Sequence, residues 1–206
     1  MRKAKDNRDS GELNKRETAI ARAGAELFSS KGFIETTMED VARAARISKG
    51  GMYHYFASKT DLLYFILDGF MDAVLQDLEP SLASMEGNLD RIRYIIFRHV
   101  DNYTKQPYAA KALLDEEHSL PAKYSKKIME KERRYLDILR GVLSAYLGEG
   151  VGKDRLTAIT FNLLGMCNWI YSWYDPKGSI SPEQLAGMIF EMFTGGVGGL
   201  GGGLNG

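Results

Sequence analysis

Residues 36–63 read TTMEDVARAARISKGGMYHYFASKTDLL, and this stretch decides the fold of the 206-residue chain. Thr37, with Asp40 three positions later, is a capping box. Met38, Val41, Ala42 and Ala45 give the helix behind it one apolar stripe two turns long. Arg46-Ile47 makes a turn, and Ser48 caps a second short helix over about 49–56. Ser58 with Asp61 opens a third helix, whose apolar positions are Leu62, Leu63, Ile66, Phe70 and Val74. Two features call for a reason. Gly50 and Gly51 stand at the start of the second helix, although glycine inside a helix costs about 1 kcal/mol relative to alanine. Four rings follow at once: Tyr53, His54, Tyr55 and Phe56.

Two short helices joined by a tight turn form the helix-turn-helix unit. Its second helix enters the DNA major groove and its first crosses the backbone. The residue types suit that task. Ser48 caps the recognition helix and leaves amide groups free for a phosphate. Lys49 brings a cation to the same place. Gly50 and Gly51 have no side chain to hold the helix away from DNA. Tyr53 and His54 offer a hydroxyl and a ring N–H for phosphate oxygens. Thr37 and Lys59 stand at the amino ends of the flanking helices, where the helix dipole adds to their pull. Arg43 and Arg46 lie nearby, with Arg46 in the turn itself. Tyr55 and Phe56 are expected in the core.

Charge supports this assignment. The whole chain is neutral, yet residues 1–60 hold 12 Lys and Arg against 8 Asp and Glu, and the remainder holds 15 against 19. A basic first quarter on an acidic remainder points one end toward a polyanion.

The rest of the chain reads as helices too. A first one runs from about residue 14 and stops at Gly32, a C-cap glycine. Others cover about 90–103, 108–118, 123–147 and 154–174. The last follows Ser181 and Pro182, proline being at home in a first turn, and ends near Thr194. The expected architecture is all-α, with about nine helices and no strand. Residues 1–12 are expected as a disordered arm and 13–62 as the DNA-binding domain. Residues 63–195 form a second, larger domain, and 196–206 a flexible glycine-rich tail. The single cysteine, Cys167, cannot form an internal disulfide and fits a reducing, cytoplasmic setting. The most apolar run is too short for a membrane span. The three histidines have no metal-ligand spacing, so neither metal nor cofactor is expected. No nucleophile motif or phosphate loop suggests an enzyme.

The segment ELFSSKGFIETTMEDVARAARISKGGMYHYFASKTDLL, residues 26–63, resembles the amino-terminal domain of TetR-family transcriptional regulators. The likeness spans about 15–67. It includes Phe28 with Gly32-Phe33, Thr36-Thr37, Val41-Ala42, Ser48-Lys49-Gly50, Tyr53, Phe56, Lys59 and Leu62. It implies a homodimer on a palindromic operator, acting as a repressor that a small ligand releases. In this family Gly51 occupies a position that often points at bases. With no side chain there, Lys49 alone is long and polar enough to read a guanine bidentately. DNA shape is then expected to supply much of the specificity.

Further on, CNWIYSWYDPKGSISPEQLAGMIFEMFTGG, residues 167–196, resembles a branch of the family that senses acyl-CoA thioesters. That likeness implies an apolar tunnel with a cationic mouth. Lys126, Arg133 and Arg134 are the candidate cations, with Tyr94, Phe97, Met129, Asn162 and Met166 as lining. Trp169, Trp173, Met188 and Met192 are expected at the dimer interface, because aromatics and methionine are enriched there. Two other readings stay open: a sensor of planar multidrug-type or aromatic compounds, and a DNA-bound factor that holds a protein partner.

Overall fold

The computed structural model describes residues 15–148 and 150–196 with their side chains, and gives helical backbone alone over 2–14 and 197–201. The arm expected over 1–12, and all of the tail expected over 196–206 except Gly196, lie outside the fully described residues. Among the described residues the chain is helical, with no strand.

The helices are α1 (Arg2–Lys31), α2 (Met38–Ala44), α3 (Lys49–Tyr55), α4 (Lys59–Leu75), α5 (Leu78–Ala83), α6 (Asn88–Lys105), α7 (Pro107–Glu116), α8 (Ala122–Leu147), α9 (Lys153–Asn168) and α10 (Pro182–Gly201), with 3-10 turns at Glu117–Ser119 and Trp169–Ser172. The six-residue α5 is the addition to the expected set. The helix expected over 154–174 ends at Asn168 and tightens into a 3-10 turn, a common way to finish an α-helix.

Two units interleave along the sequence. The first joins the chain up to Phe70 with Tyr108–Ile128, and the second joins Met71–Pro107 with the chain from Met129 onward.

In the first unit, α1 stops where Gly32 turns to φ +92° and its N–H bonds Phe28 O at 3.0 Å. Ile20 and Phe28 are each 1 % exposed, and they anchor α1 to the core. At Gly24 a side chain would meet Leu62 Cδ2 at 2.9 Å, so α1 and α4 approach closely there. Leu62, Leu63 and Leu67 of α4 are fully buried. The returning segment is tied to this core by polar contacts. Glu116, at the end of α7, accepts the Phe33 N–H at 3.0 Å. The Tyr124 hydroxyl of α8 donates to Asp61 Oδ1 at 2.7 Å, and its ring stacks on Tyr64 with centroids 4.3 Å apart.

The second unit is built on α6. Ile92, Ile95, Ile96, His99, Val100 and Tyr103 form its buried stripe at helical spacing. α10 packs along α6, and Arg93 lays its guanidinium over the Phe190 ring at 4.1 Å. Arg98 donates to Val74 O at 3.2 Å, to Ala73 O at 3.0 Å and to Gln76 O. It thereby satisfies carbonyls that the end of a helix otherwise leaves unpaired.

Candidate nucleic-acid interface

The amino ends of α2 and α3 are built by local capping. Thr37 Oγ1 accepts the Asp40 N–H at 3.1 Å, and Asp40 Oδ2 accepts the Thr37 N–H at 3.1 Å, which closes the expected box. The Lys31 ammonium, 2.9 Å from Asp40 Oδ2, is the main cause holding that carboxyl well below the usual carboxylate range, and the Thr37 hydrogen bonds add to it. The Thr37 hydroxyl also donates to Asp40 Oδ2 at 2.9 Å, so the box already uses it.

The turn after α2 is held by Ile47 N–H on Ala42 O at 2.9 Å and by Arg46 in the left-handed region, φ +56°. Glycine normally fills such a position. Here an exposed arginine does, with no ion-pair partner among the described residues.

Ser48 caps α3 by accepting the Gly51 N–H at 3.1 Å. Gly50 has open space where a side chain would stand, whereas a Cβ on Gly51 would lie 3.1 Å from Ser48 Oγ. Gly51 therefore has a reason inside the chain as well: it keeps the cap uncrowded. Met52, 0 % exposed, is the α3 residue that anchors the helix to the core. Tyr53 and His54 face solvent, Tyr55 is half-buried, and Phe56 is buried. The ring run thus divides between surface and interior, with Tyr55 less enclosed than expected.

Lys49 reaches back to Glu39 on α2 at 3.4 Å, with both side chains mostly exposed. Such a pair contributes little, so the ammonium stays free to exchange a carboxylate for a phosphate. Lys59 is placed differently from the expectation of a phosphate contact. Its ammonium donates to Phe33 O at 2.6 Å and to Ile34 O at 3.0 Å, and sits 4.4 Å from the Phe33 ring centre. Its charge is engaged within the protein, because the loop after α1 presents two carbonyls and a ring face to it. Thr37, Arg46, Ser48, Lys49, Gly50, Gly51, Tyr53 and His54 thus lie in or beside the helix-turn-helix, and all of these but the half-buried Gly51 are exposed.

In the second unit, Tyr94 and Phe97 line two adjoining grooves. One, of about 290 Å³, also takes in Arg98, Asp101, Pro182 and Glu183. The other, of about 660 Å³, also takes in Met85, Asp90 and Arg93. Arg133 and Arg134 line a separate groove of about 480 Å³ beside Glu79, Glu130, Asp137 and Ile138. Arg134 pairs with Glu79 there. Three carboxylates against two guanidiniums make a poor phosphate mouth, because the acids already balance the cations. Met129, Asn162 and Met166 line none of these grooves, and Asn162 donates to Ala158 O on its own helix at 2.8 Å. Lys126 lies in the first unit, exposed on α8.

Trp169 (64 % exposed), Trp173 (55 %), Met188 (49 %) and Met192 (66 %) leave large apolar surfaces uncovered, and Phe161 on α9 joins them at 53 %. Met188 and Met192 are one turn apart on α10 and share a face.

One buried polar group in this unit, His99, sits on the apolar stripe of α6. His99 Nδ1 lies 2.9 Å from the Tyr135 hydroxyl, and the imidazole stacks on Tyr103 at 4.3 Å. Burial lowers the His99 pKa to about 4, with the Asn168 side chain opposing part of that shift. Burial also pushes the Cys167 thiol up to about 12. Among the described residues no three His, Cys, Asp or Glu side chains gather to hold a metal, and no helix is long and apolar enough to cross a membrane.

Comparison with known proteins agrees with this architecture. Residues 20–64 match the family described as bacterial regulatory proteins, tetR family, and residues 86–197 match the tetracyclin repressor-like C-terminal domain. Over 198 residues the chain is 23 % identical to the HTH-type transcriptional repressor KstR2 of Mycobacterium tuberculosis, covering 93 % of this chain and 97 % of that protein. Among solved structures it is similar to a TetR-family regulator from Bordetella parapertussis 12822, with TM-score 0.81, 30 % identity and coverage of 87 % and 94 %. It is also similar to AibR in complex with isovaleryl coenzyme A and operator DNA, with TM-score 0.73, 27 % identity and coverage of 86 % and 97 %.

Proposed function

The chain belongs to the tetR family of bacterial regulatory proteins, whose members regulate transcription by binding DNA, and from that premise we propose a homodimeric repressor released from a palindromic operator by an acyl-CoA thioester. The observation that carries this reading is the likeness to AibR, which is seen with both isovaleryl coenzyme A and operator DNA and matches 86 % of this chain. The name of the M. tuberculosis relative supports repression over activation.

In this proposal residues 13–62 bind DNA and residues 63–195 hold the effector and the partner copy. Ser48, Lys49, Tyr53 and His54 meet phosphates at the amino end of α3, where unpaired amides and the helix dipole favour an anion. Lys49 reads the base edge, and DNA shape supplies the rest of the specificity. The exposed Trp169, Trp173, Met188 and Met192 meet the same residues of a second copy, since a two-fold contact is self-complementary. Effector binding shifts the population of dimers toward a spacing of recognition helices that the operator does not fit.

The test uses operator duplexes selected from random DNA, titrated by fluorescence anisotropy. One dimer per palindrome is expected, with weaker binding when acyl-CoAs are added and no change with the free acids. Release by planar dyes, with no effect of any acyl-CoA, would favour a multidrug-type sensor. Indifference to every small molecule would favour a protein partner.

A further inference from the structure

α2 ends in a closed turn that requires one residue in the left-handed region. The Arg46 N–H bonds Arg43 O at 3.1 Å, and the Ile47 N–H bonds Ala42 O at 2.9 Å. This pair of bonds is the Schellman closure of a helix end, and its left-handed residue is usually glycine. Arg46 takes that place, with φ +56°. A Cβ in this conformation crowds the following carbonyl oxygen, a strain that glycine avoids.

Other helix ends in the same chain show the ordinary solution. Among the described residues the remaining positive φ angles belong to Gly32, Gly148, Gly150 and Asp77. α1 and α8 close on Gly32 and Gly148, whose N–H groups bond Phe28 O at 3.0 Å and Ser144 O at 3.1 Å. Asp77 has a short polar side chain, the kind that tolerates this region. Arg46 alone among these residues puts a long side chain there, and it does so beside the recognition helix.

Nothing inside the protein accounts for the arginine. The residue is exposed, and its guanidinium has no hydrogen-bond or ion-pair partner among the described residues. The acids of α2 are engaged with other cations: Asp40 with Lys31 and the Thr37 box, Glu39 with Lys49. A strained residue whose side chain makes no contact in the fold points to a use outside it. Its position indicates which use. Arg46 stands in the turn between the helix that crosses the DNA backbone and the helix that enters the groove. Base edges are read from the helix in the groove, whereas residues flanking it meet the sugar–phosphate backbone.

We propose that Arg46 is a phosphate anchor. Its guanidinium grips the DNA backbone from the turn and fixes the register at which α3 enters the groove. The left-handed strain at this one helix end is retained for the sake of that charge. The inference rests on the operator-binding reading above and is independent of the effector.

The experiment is fluorescence anisotropy titration of the full-length protein across a range of salt. The probes are operator duplexes that the wild type selects from random DNA, and unselected duplexes of random sequence. Arg46→Gly removes both charge and strain. Arg46→Asn removes the charge with a residue that tolerates left-handed φ. Arg46→Lys keeps the charge. Both neutral variants should weaken binding about five- to tenfold near 0.1 M salt, on selected and random duplexes alike. Both should reduce the slope of log affinity against log salt by about 1, as for one lost phosphate contact. Both should melt no lower than wild type, since the fold makes no use of the guanidinium. Arg46→Lys should keep the wild-type slope.

An unchanged slope in both neutral variants overturns the inference and leaves the operator reading standing. Lower melting temperatures in both overturn it too, because the guanidinium would then serve the fold. A loss confined to one base pair of the selected operator also overturns it and makes Arg46 a base reader. Failure of the wild type to bind either set of duplexes overturns this inference and the operator reading together.

Discussion

Glu116 and Phe33, 83 positions apart, are joined by one hydrogen bond: the Phe33 N–H donates to Glu116 Oε1 at 3.0 Å. The Phe33 carbonyl in turn accepts from Lys59 at 2.6 Å. A single residue of the loop after α1 is therefore held on both sides of its backbone, by the end of α7 and by the start of α4. Glu116→Ala should lower stability by about 1–2 kcal/mol, because a charge-assisted bond is lost and a part-buried donor is left unpaired. Urea unfolding measures the loss, and faster hydrogen exchange at the Phe33 amide localises it. An exchange rate equal to wild type would show that the bond does not hold the loop.

Lys49 and Lys59 should separate cleanly by salt dependence. Lys49→Ala should reduce the slope of log affinity for operator against log salt by about 1, as expected for one lost phosphate contact. Lys59→Met should leave that slope unchanged while lowering stability by about 1–2 kcal/mol, since two carbonyls lose a charged donor. A reduced slope for Lys59→Met would show that its ammonium turns outward on DNA.

His99 gives a pH dependence with a definite sign. Its folded pKa, about 4, lies below the ordinary histidine value of 6.5. The unfolded chain therefore binds more protons than the folded one between these values, and stability falls as pH drops through that window. From pH 7 to pH 5 the loss should be of order 1–2 kcal/mol. The neighbours Tyr103, Tyr135 and Cys167 stay neutral throughout, as burial raises the pKa of each. Thermal melts across this range should show the slope, and His99→Gln should flatten it. An unchanged slope in the variant would place the titration elsewhere.

Met192→Glu tests the apolar face of α9 and α10. A carboxylate in the centre of a two-fold contact would meet its own copy or lie buried without a partner. The variant should sediment as a monomer at micromolar concentration with its helix content unchanged. Its affinity for a palindromic operator should fall about a hundredfold, as the two half-sites are no longer engaged together. A dimer that survives this change would move the interface to another face.

The helix-turn-helix was readable in the sequence because its signals are local. Thr37 with Asp40, and Ser48 with Gly51, bond across three positions, so spacing alone reveals them. Lys59, expected at a phosphate, was less legible for the opposite reason. Its acceptors lie 26 and 25 residues earlier, and nothing in the pattern near Lys59 announces them. The cations of the second unit suffer the same way: Arg134 finds Glu79 across 55 residues. His99 was harder still, since a histidine on an apolar stripe gives no sign of its partners. Tyr135, which faces its Nδ1, and Asn168, which opposes the loss of its proton, come from other helices.

The interleaving of the two units bears on how far the DNA-reading part can be moved. The unit that carries α1, α2 and α3 also contains Tyr108–Ile128. From that returning segment come Glu116, which fixes Phe33, and Tyr124, which fixes Asp61. The first seventy residues are therefore not a self-sufficient cassette. Grafted onto another sensor, they would arrive without two of their own supports. A working chimera has to carry the α7–α8 corner across with them, so the natural cut runs through the interior of α4 and α8 rather than along a linker.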